Sequence, residues 1–208
     1  MANGIYKKKH WKGVSLKITV PSHDELRSPR PLAVAIKWHP PDDPWIKLNT
    51  DGAFLEASDK AGGGDIIRDH TGKVLSAFAS PLEAHSALEA ELLAIQLGLE
   101  LALEFNRPIW IESDAQQVVQ LLNSTRWGPA HTSRVVARIL LLNRQRVVRL
   151  TYTPREGNRA GDLLAKMGID SQNYCRMNAH TMPRHLAAIT RMEALGIPNI
   201  RVQHDDKE

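Results

Sequence analysis

The sequence predicts an α/β fold: a mixed five-stranded sheet of three antiparallel strands and then crossover strands, covered by helices. Three observations predict it. Three strand-like segments follow one another between residues 45 and 80 with short connections, which implies an antiparallel meander. A long helical period then runs through 86–105. Beyond it, short apolar strands alternate with helical segments, the pattern of crossover connections in a layered domain.

The elements can be justified in order. Pro40, Pro41 and Pro44 in KWHPPDDPW block both helix and central strand, so a domain begins near Trp45. Trp45–Glu56, Gly63–Arg68 and Lys73–Ser80 read as strands, with Asp69-His70-Thr71-Gly72 as the turn between the last two. Ser86–Phe105 carries Leu88, Leu92, Ile95 and Leu99 at helical spacing, and Asn106 and Pro108 stop it. Ile109–Glu112 is a strand, Ala115–Asn123 and His131–Asn143 are helices, Val147–Thr153 is a strand and Ala160–Met167 a helix.

Three regions follow. Residues 1–40 show no sustained period and read as a loosely ordered basic leader with one short strand in SLKITV. Residues 41–170 form the domain. Residues 171–208 form a C-terminal extension with one helix on Leu186, Ile189 and Leu195 and a frayed HDDKE end.

Composition narrows the function classes. Of 208 residues, 42% are hydrophobic and 24% charged, which excludes a fully disordered or fibrous chain. Cys175 stands alone, so an internal disulfide or a zinc cage is excluded. No apolar run approaches a membrane span and no secretory signal opens the chain, so the expectation is an intracellular protein, nuclear or cytoplasmic, with no membrane partner. The sequence names no protein partner. The net charge of +4 divides into +6 over residues 1–40 and −2 over residues 41–208, so a nucleic-acid reading based on overall basicity would rest on the leader.

Four acids sit on four different elements: Asp51 in a strand pattern, Glu91 in the long helix, Asp114 just after a strand, and Asp162 in the first turn of the last helix of the domain. Taken singly, Asp114 reads as a helix cap, Asp162 as a complement to a helix dipole and Glu91 as a solvated helix residue. Asp51 is harder to dismiss, because Asp is depleted in strands. Brought together, the four would repel unless cations lay between them. Oxygen-only ligands suit Mg²⁺ or Mn²⁺, and two such ions about 4 Å apart can clamp the attacking and leaving oxygens of a phosphodiester.

WIKLNTDGA at 45–53, AGGGDIIRDHTGK at 61–73, EAELLAI at 89–95, IESDAQQV at 111–118 and REGNRAGDLLAK at 155–166 resemble the successive motifs of the plant type 1 ribonuclease H family. A similar domain ends plant retroelement reverse transcriptases. The resemblance runs from about Trp38 to Gly168 and implies a ribonuclease H-like sheet, cleavage of the RNA strand of RNA–DNA hybrids, and two Mg²⁺ ions with Mn²⁺ as a substitute. It implies Asp51, Glu91, Asp114 and Asp162 as both metal ligands and catalytic residues. Helical geometry favours Glu91 over Glu89 only slightly, at roughly 70° against roughly 90° from the apolar stripe, so the motif decides between them. Weak sequence specificity is expected, since RNA would be told from DNA by its 2′-hydroxyls.

Three positions depart from the family pattern. Tyr152 stands where many members carry His, and a phenol is a poor proton carrier near neutral pH. Its strand parity with Val148 and Leu150 also suggests a packed core tyrosine. Asp65 stands where the family shows Gly, and beside a substrate groove it would repel phosphate unless it faced solvent. Ala115 replaces a common Ser. Against these stand eight arginines and no lysine between 126 and 159, opposed only by Glu156, for +7 in 34 residues. Arg134 and Arg138 lie one helical turn apart and could track a phosphate backbone; Arg155, Asn158 and Gln116 join them as nucleic-acid-binding candidates within the matched motifs. Lys7, Lys8, Lys9, Trp11 and Lys12 read as a weak hybrid-binding or nuclear-import patch. The alternative to an enzyme is a non-catalytic nucleic-acid-binding remnant of a retroelement ribonuclease H domain.

Overall fold

Near-continuous burial along three successive segments, covered on both faces, builds the meander. In the computed structural model, which describes residues 32–124 and 128–203, β1 is Leu32–Ile36 and the meander is β2 Ile46–Leu55, β3 Lys60–Arg68 and β4 Val74–Leu82. The SLKITV strand, the patch of Lys7, Lys8, Lys9, Trp11 and Lys12, Arg126 and the HDDKE end lie outside the described residues. The β3–β4 turn is built by Asp69, whose Oδ1 accepts from Thr71 N–H at 2.8 Å, the Thr71 hydroxyl at 2.6 Å and Lys73 N–H at 3.1 Å.

Helix α1 spans Ala87–Leu103. Ser86 caps it by accepting from Glu89 N–H at 3.2 Å, and the Glu89 carboxylate reaches back to His85 N–H at 2.9 Å. Asn106, at φ +55°, takes the chain out of the helical hand and on into β5, Ile109–Ser113. After β5 come α2 Gln116–Leu122, α3 Ser133–Asn143, β6 Val148–Tyr152, α4 Arg159–Asp170, β7 Cys175–Met177, α5 Arg184–Ala194 and β8 Asn199–Gln203.

The main sheet has the strand order β6-β5-β2-β3-β4-β7, with β2, β5 and β6 parallel and the remaining neighbours antiparallel. It therefore has six strands where the sequence predicts five. The sixth, β7, comes from the segment read as an extension and pairs Met177 with Ala77. Its physical reason is burial: Met177 completes an apolar cluster with Ile66, Ala77, Ala79, Leu164 and Leu186 under α4 and α5. The opposite face buries Leu92, Ile95 and Leu99 of α1 against Leu48, Ile67, Phe78, Ile109 and Ile111, closed by Ile139 and Leu142 of α3. Strands β1 and β8 pair in a separate two-stranded sheet.

On the face covered by α4 and α5 lies a buried polar network as well. Arg68, 1% exposed, donates to Glu193 of α5 at 2.5 Å and to Asn49 at 2.6 Å, and its guanidinium lies 3.7 Å from the Trp38 ring centroid. Lys47 donates to Glu112 at 2.6 Å and to the His39 carbonyl at 2.7 Å. These contacts join segments before residue 41 and after residue 170 to the sheet, and residues 33–202 form one compact unit.

Candidate metal centre

Parallel pairing of β2 with β5 sets Thr50 opposite Ser113, so the next residue on each chain, Asp51 and Asp114, emerges at the same end of the sheet. Glu91 joins them from α1. One carboxylate oxygen from each of the three lies within 4.8 Å of the others. Gly52 makes this approach possible: a Cβ there would lie 2.3 Å from the backbone of Ala90 and Glu91, so any side chain would push the helix off the strand. Glu89 is committed to the helix cap, and Glu91 is the acid of α1 that joins Asp51 and Asp114.

The three acids crowd one another in a partly dry site. Burial first, then the charges of Asp114 and Asp162, pushes Asp51 up to about 7. Burial and the charges of Asp51 and Asp114 push Glu91 up to about 10, with the Gly52 amide pulling the other way. Glu91 Oε2 is buried and without a hydrogen-bond partner. Three converging carboxylates, one of which carries an orphaned oxygen, fit a hard divalent cation better than they fit water-free storage of negative charge.

Asp162 is close enough to raise Asp51, yet its own oxygens are occupied. Oδ1 accepts from Arg155 at 2.6 and 3.2 Å, and Oδ2 accepts from Lys166 at 2.6 Å. Against the upward pull of partial burial, these two cations hold Asp162 below the usual carboxylate range. Lys166 was not singled out from sequence, although its spacing four residues beyond Asp162 is a readable helical pair.

The residues expected to touch nucleic acid are dispersed in role. Asn158 is 1% exposed; its amide nitrogen donates to the Thr50 carbonyl at 2.8 Å and to Asp114 Oδ1 at 2.9 Å, so it positions Asp114 instead of meeting solvent. Arg138 is bound to Glu100 at 3.0 Å, and Arg155 to Asp162. Arg134 is exposed on α3. Gln116 is exposed at the start of α2 and lines, with Glu91, Leu88 and Gln117, a cleft of about 370 Å³ beside the acids.

Two expectations about the departing residues need correction. Tyr152 is 44% exposed at the end of β6, opposite Ser113, so it is no core tyrosine; the half-burial of Val148 and Leu150 ends before it. Asp65 faces neither groove nor solvent. It is fully buried beneath α1, in space that only Gly98 leaves open, since a Cβ at 98 would lie 1.6 Å from Asp65 Oδ2. Burial raises its pKa well above the ordinary value, which favours its protonated form and weakens any repulsion of phosphate. Because the folded-state pKa lies above the unfolded value of about 4, the cost of holding Asp65 is absent at low pH and grows as pH rises. Asp65→Ala should therefore stabilise the protein by about 1–2 kcal/mol at pH 8 and by less at pH 5. Thermal melts at the two pH values measure this; an equal or smaller gain at pH 8 would count against it.

Residues 49–168 match the model of the reverse transcriptase-like family. A candidate ribonuclease H protein of Arabidopsis thaliana is 30% identical over 164 residues, 77% of this chain; the chain spans about a quarter of that protein, 26%. Among solved structures, the N-terminal RNase H domain of a Mycobacterium tuberculosis protein superposes with a TM-score of 0.55 at 22% identity, covering 61% of this chain and 94% of that one. RNase H1 of Halobacterium salinarum gives 0.56 at 23%, covering 61% and 98%. LC11-RNase H1, isolated from compost and solved with an RNA/DNA hybrid, gives 0.56 at 22%, covering 60% and 96%. These structural likenesses establish the fold.

Proposed function

This chain belongs to the reverse transcriptase-like family, and from that premise we propose that it is a ribonuclease that cuts the RNA strand of RNA–DNA hybrids with two divalent cations, Mg²⁺ by preference. The observation that carries the proposal is the convergence of Asp51, Glu91 and Asp114 oxygens within 4.8 Å beside Asp162. Asp51, Glu91, Asp114 and Asp162 would hold the cations. When bound, the cations would acidify a water to make a nucleophile and neutralise charge on the departing 3′ oxygen.

The chain's own residues do the positioning. Asn158 ties Asp114 to β2, since its amide nitrogen donates both to Asp114 Oδ1 and to the Thr50 carbonyl. The Glu91–Gln116 cleft offers an amide beside the acids, suited to 2′-hydroxyl and base-edge contacts in a minor groove. The test is a labelled hybrid incubated with the full chain in Mg²⁺ and in EDTA. Metal-dependent release of RNA fragments, with the matching DNA strand intact, is the expected result; no cutting in Mg²⁺ or Mn²⁺ would sink the proposal.

A second reading, a binder without turnover, is favoured by Tyr152 alone, since Asp65 is buried and shifted toward its protonated form. With its side chain exposed beside Asp114's strand, Tyr152 is placed where a proton carrier could act. Tyr152→His is expected to raise the cleavage rate near pH 7 about tenfold, at the low end of general acid–base contributions. A pH–rate profile checks this, because the gain should fall away below the imidazole pKa of about 6.5 if the neutral ring is the active form.

A further inference from the structure

Asp162 also lines a second cleft of about 340 Å³, with Arg155, Glu156, Arg159, Asn199 and Ile200. Two of these residues come from β8, beyond the stretch that matches the family. Asn199 fixes the floor: its amide nitrogen donates to the Glu156 carbonyl at 2.7 Å, and its oxygen accepts from Arg159 at 2.8 Å. The Glu156 carboxylate does not face the arginines unopposed, since Arg201 of β8 lies 3.8 Å from its Oε1. Arg155 lines the cleft beside Asp162, 70% exposed, with Nη2 and Nε both given to Asp162 Oδ1.

We propose that this cleft is an anchor for one backbone phosphate of the hybrid, and that Arg155 exchanges Asp162 for that phosphate when Asp162 turns to a cation. The proposal rests on the nuclease reading. Arg155 takes both acceptor sites of Asp162 Oδ1 while Lys166 takes one of Oδ2, and both positive charges compete with a cation, so a cation that binds at Oδ1 must displace Arg155. An exposed arginine–carboxylate pair is weak and easily exchanged. The released guanidinium already lines the cleft, and its planar fork matches two phosphate oxygens. Arg159, held by Asn199, supplies the fixed half of the anchor. Lys166 also binds Asp162 but does not line the cleft, so it gives a control with the same carboxylate contact and no phosphate role.

Two measurements test the exchange. Calorimetric Mg²⁺ titration of the full chain without nucleic acid should show severalfold tighter binding for both Arg155→Ala and Lys166→Ala, each of which removes a competitor for Asp162, and no change for Arg159→Ala. Binding of a labelled hybrid, followed by anisotropy in Ca²⁺ across a salt series, should show the slope of log K against log[salt] smaller by about one for Arg155→Ala and for Arg159→Ala, and unchanged for Lys166→Ala. Arg155→Lys should keep the slope but weaken binding, because a point charge replaces the fork. Unchanged slopes in both arginine variants would remove the phosphate anchor, and unchanged or weaker Mg²⁺ binding in Arg155→Ala would remove the exchange. If the wild-type chain binds and cuts the hybrid while these results fail, only the anchor is wrong; if the wild-type chain does not bind the hybrid at all, the nuclease reading falls and the anchor with it.

Discussion

Asp51→Asn protein, mixed with a labelled hybrid and Mg²⁺, is expected to cut about 10³-fold more slowly than the wild type, or slower still. Asp51 stands centrally among the acids, in the electrostatic reach of Asp114, Asp162 and Glu91, and an amide oxygen without charge cannot replace it beside two cations. The same substitution should make the metal-free protein more stable. Asp51 and Glu91 have folded-state pKa values near 7 and 10, above unfolded values of about 4, so their contribution to stability is complete below about pH 4. It is lost as pH rises through those folded-state values. Metal-free wild type should therefore melt at progressively lower temperature between pH 5 and pH 9, Mg²⁺ should restore the loss, and Asp51→Asn should both flatten the decline near pH 7 and abolish the Mg²⁺ response. A variant that cuts at wild-type rate, or whose melting temperature falls, would contradict this account.

Glu193→Ala should lower stability by about 3–5 kcal/mol, because it strands the Arg68 guanidinium in a site 1% exposed. In a unit of this size that corresponds to a fall in melting temperature of roughly 10 °C, without a direct effect on the acids. Removal of residues 171–203 should do more harm, since Met177 and Leu186 leave with Glu193 and uncover Ala77 and Leu164. Replacing both charges by apolar residues of similar volume, as Arg68→Met with Glu193→Leu, should recover much of the loss. Recovery in the double variant separates an uncompensated charge from simple loss of packing; no recovery would assign the loss to shape.

The legible parts of this molecule are those written locally. The meander, the 86–105 helix and the short crossover strands announce themselves through period and turn residues, because each depends on neighbours in sequence. Four acids on four elements were also visible, since their types and motifs are local. What they do with one another was not. The cap that occupies Glu89 is readable as a serine, Ser86, three residues before a glutamate, but the commitment of Asn158 to Asp114 crosses 44 residues and has no local signature. The burial of Asp65 depends on Gly98 in a helix 33 positions away, and the pairing of Arg68 with Glu193 spans 125 positions. The sixth strand is only three residues long, too short for any period to show.

The raised acids have a calorimetric consequence. Near neutral pH, Glu91 and part of the Asp51 population carry protons that a divalent cation must expel, so binding releases acid into the buffer. The heat measured on adding Mg²⁺ should then differ between buffers of high and low ionisation enthalpy, and the slope of that dependence counts the protons lost. On the nuclease reading, the affinity of these carboxylates for Mg²⁺ should climb as the solution becomes more alkaline.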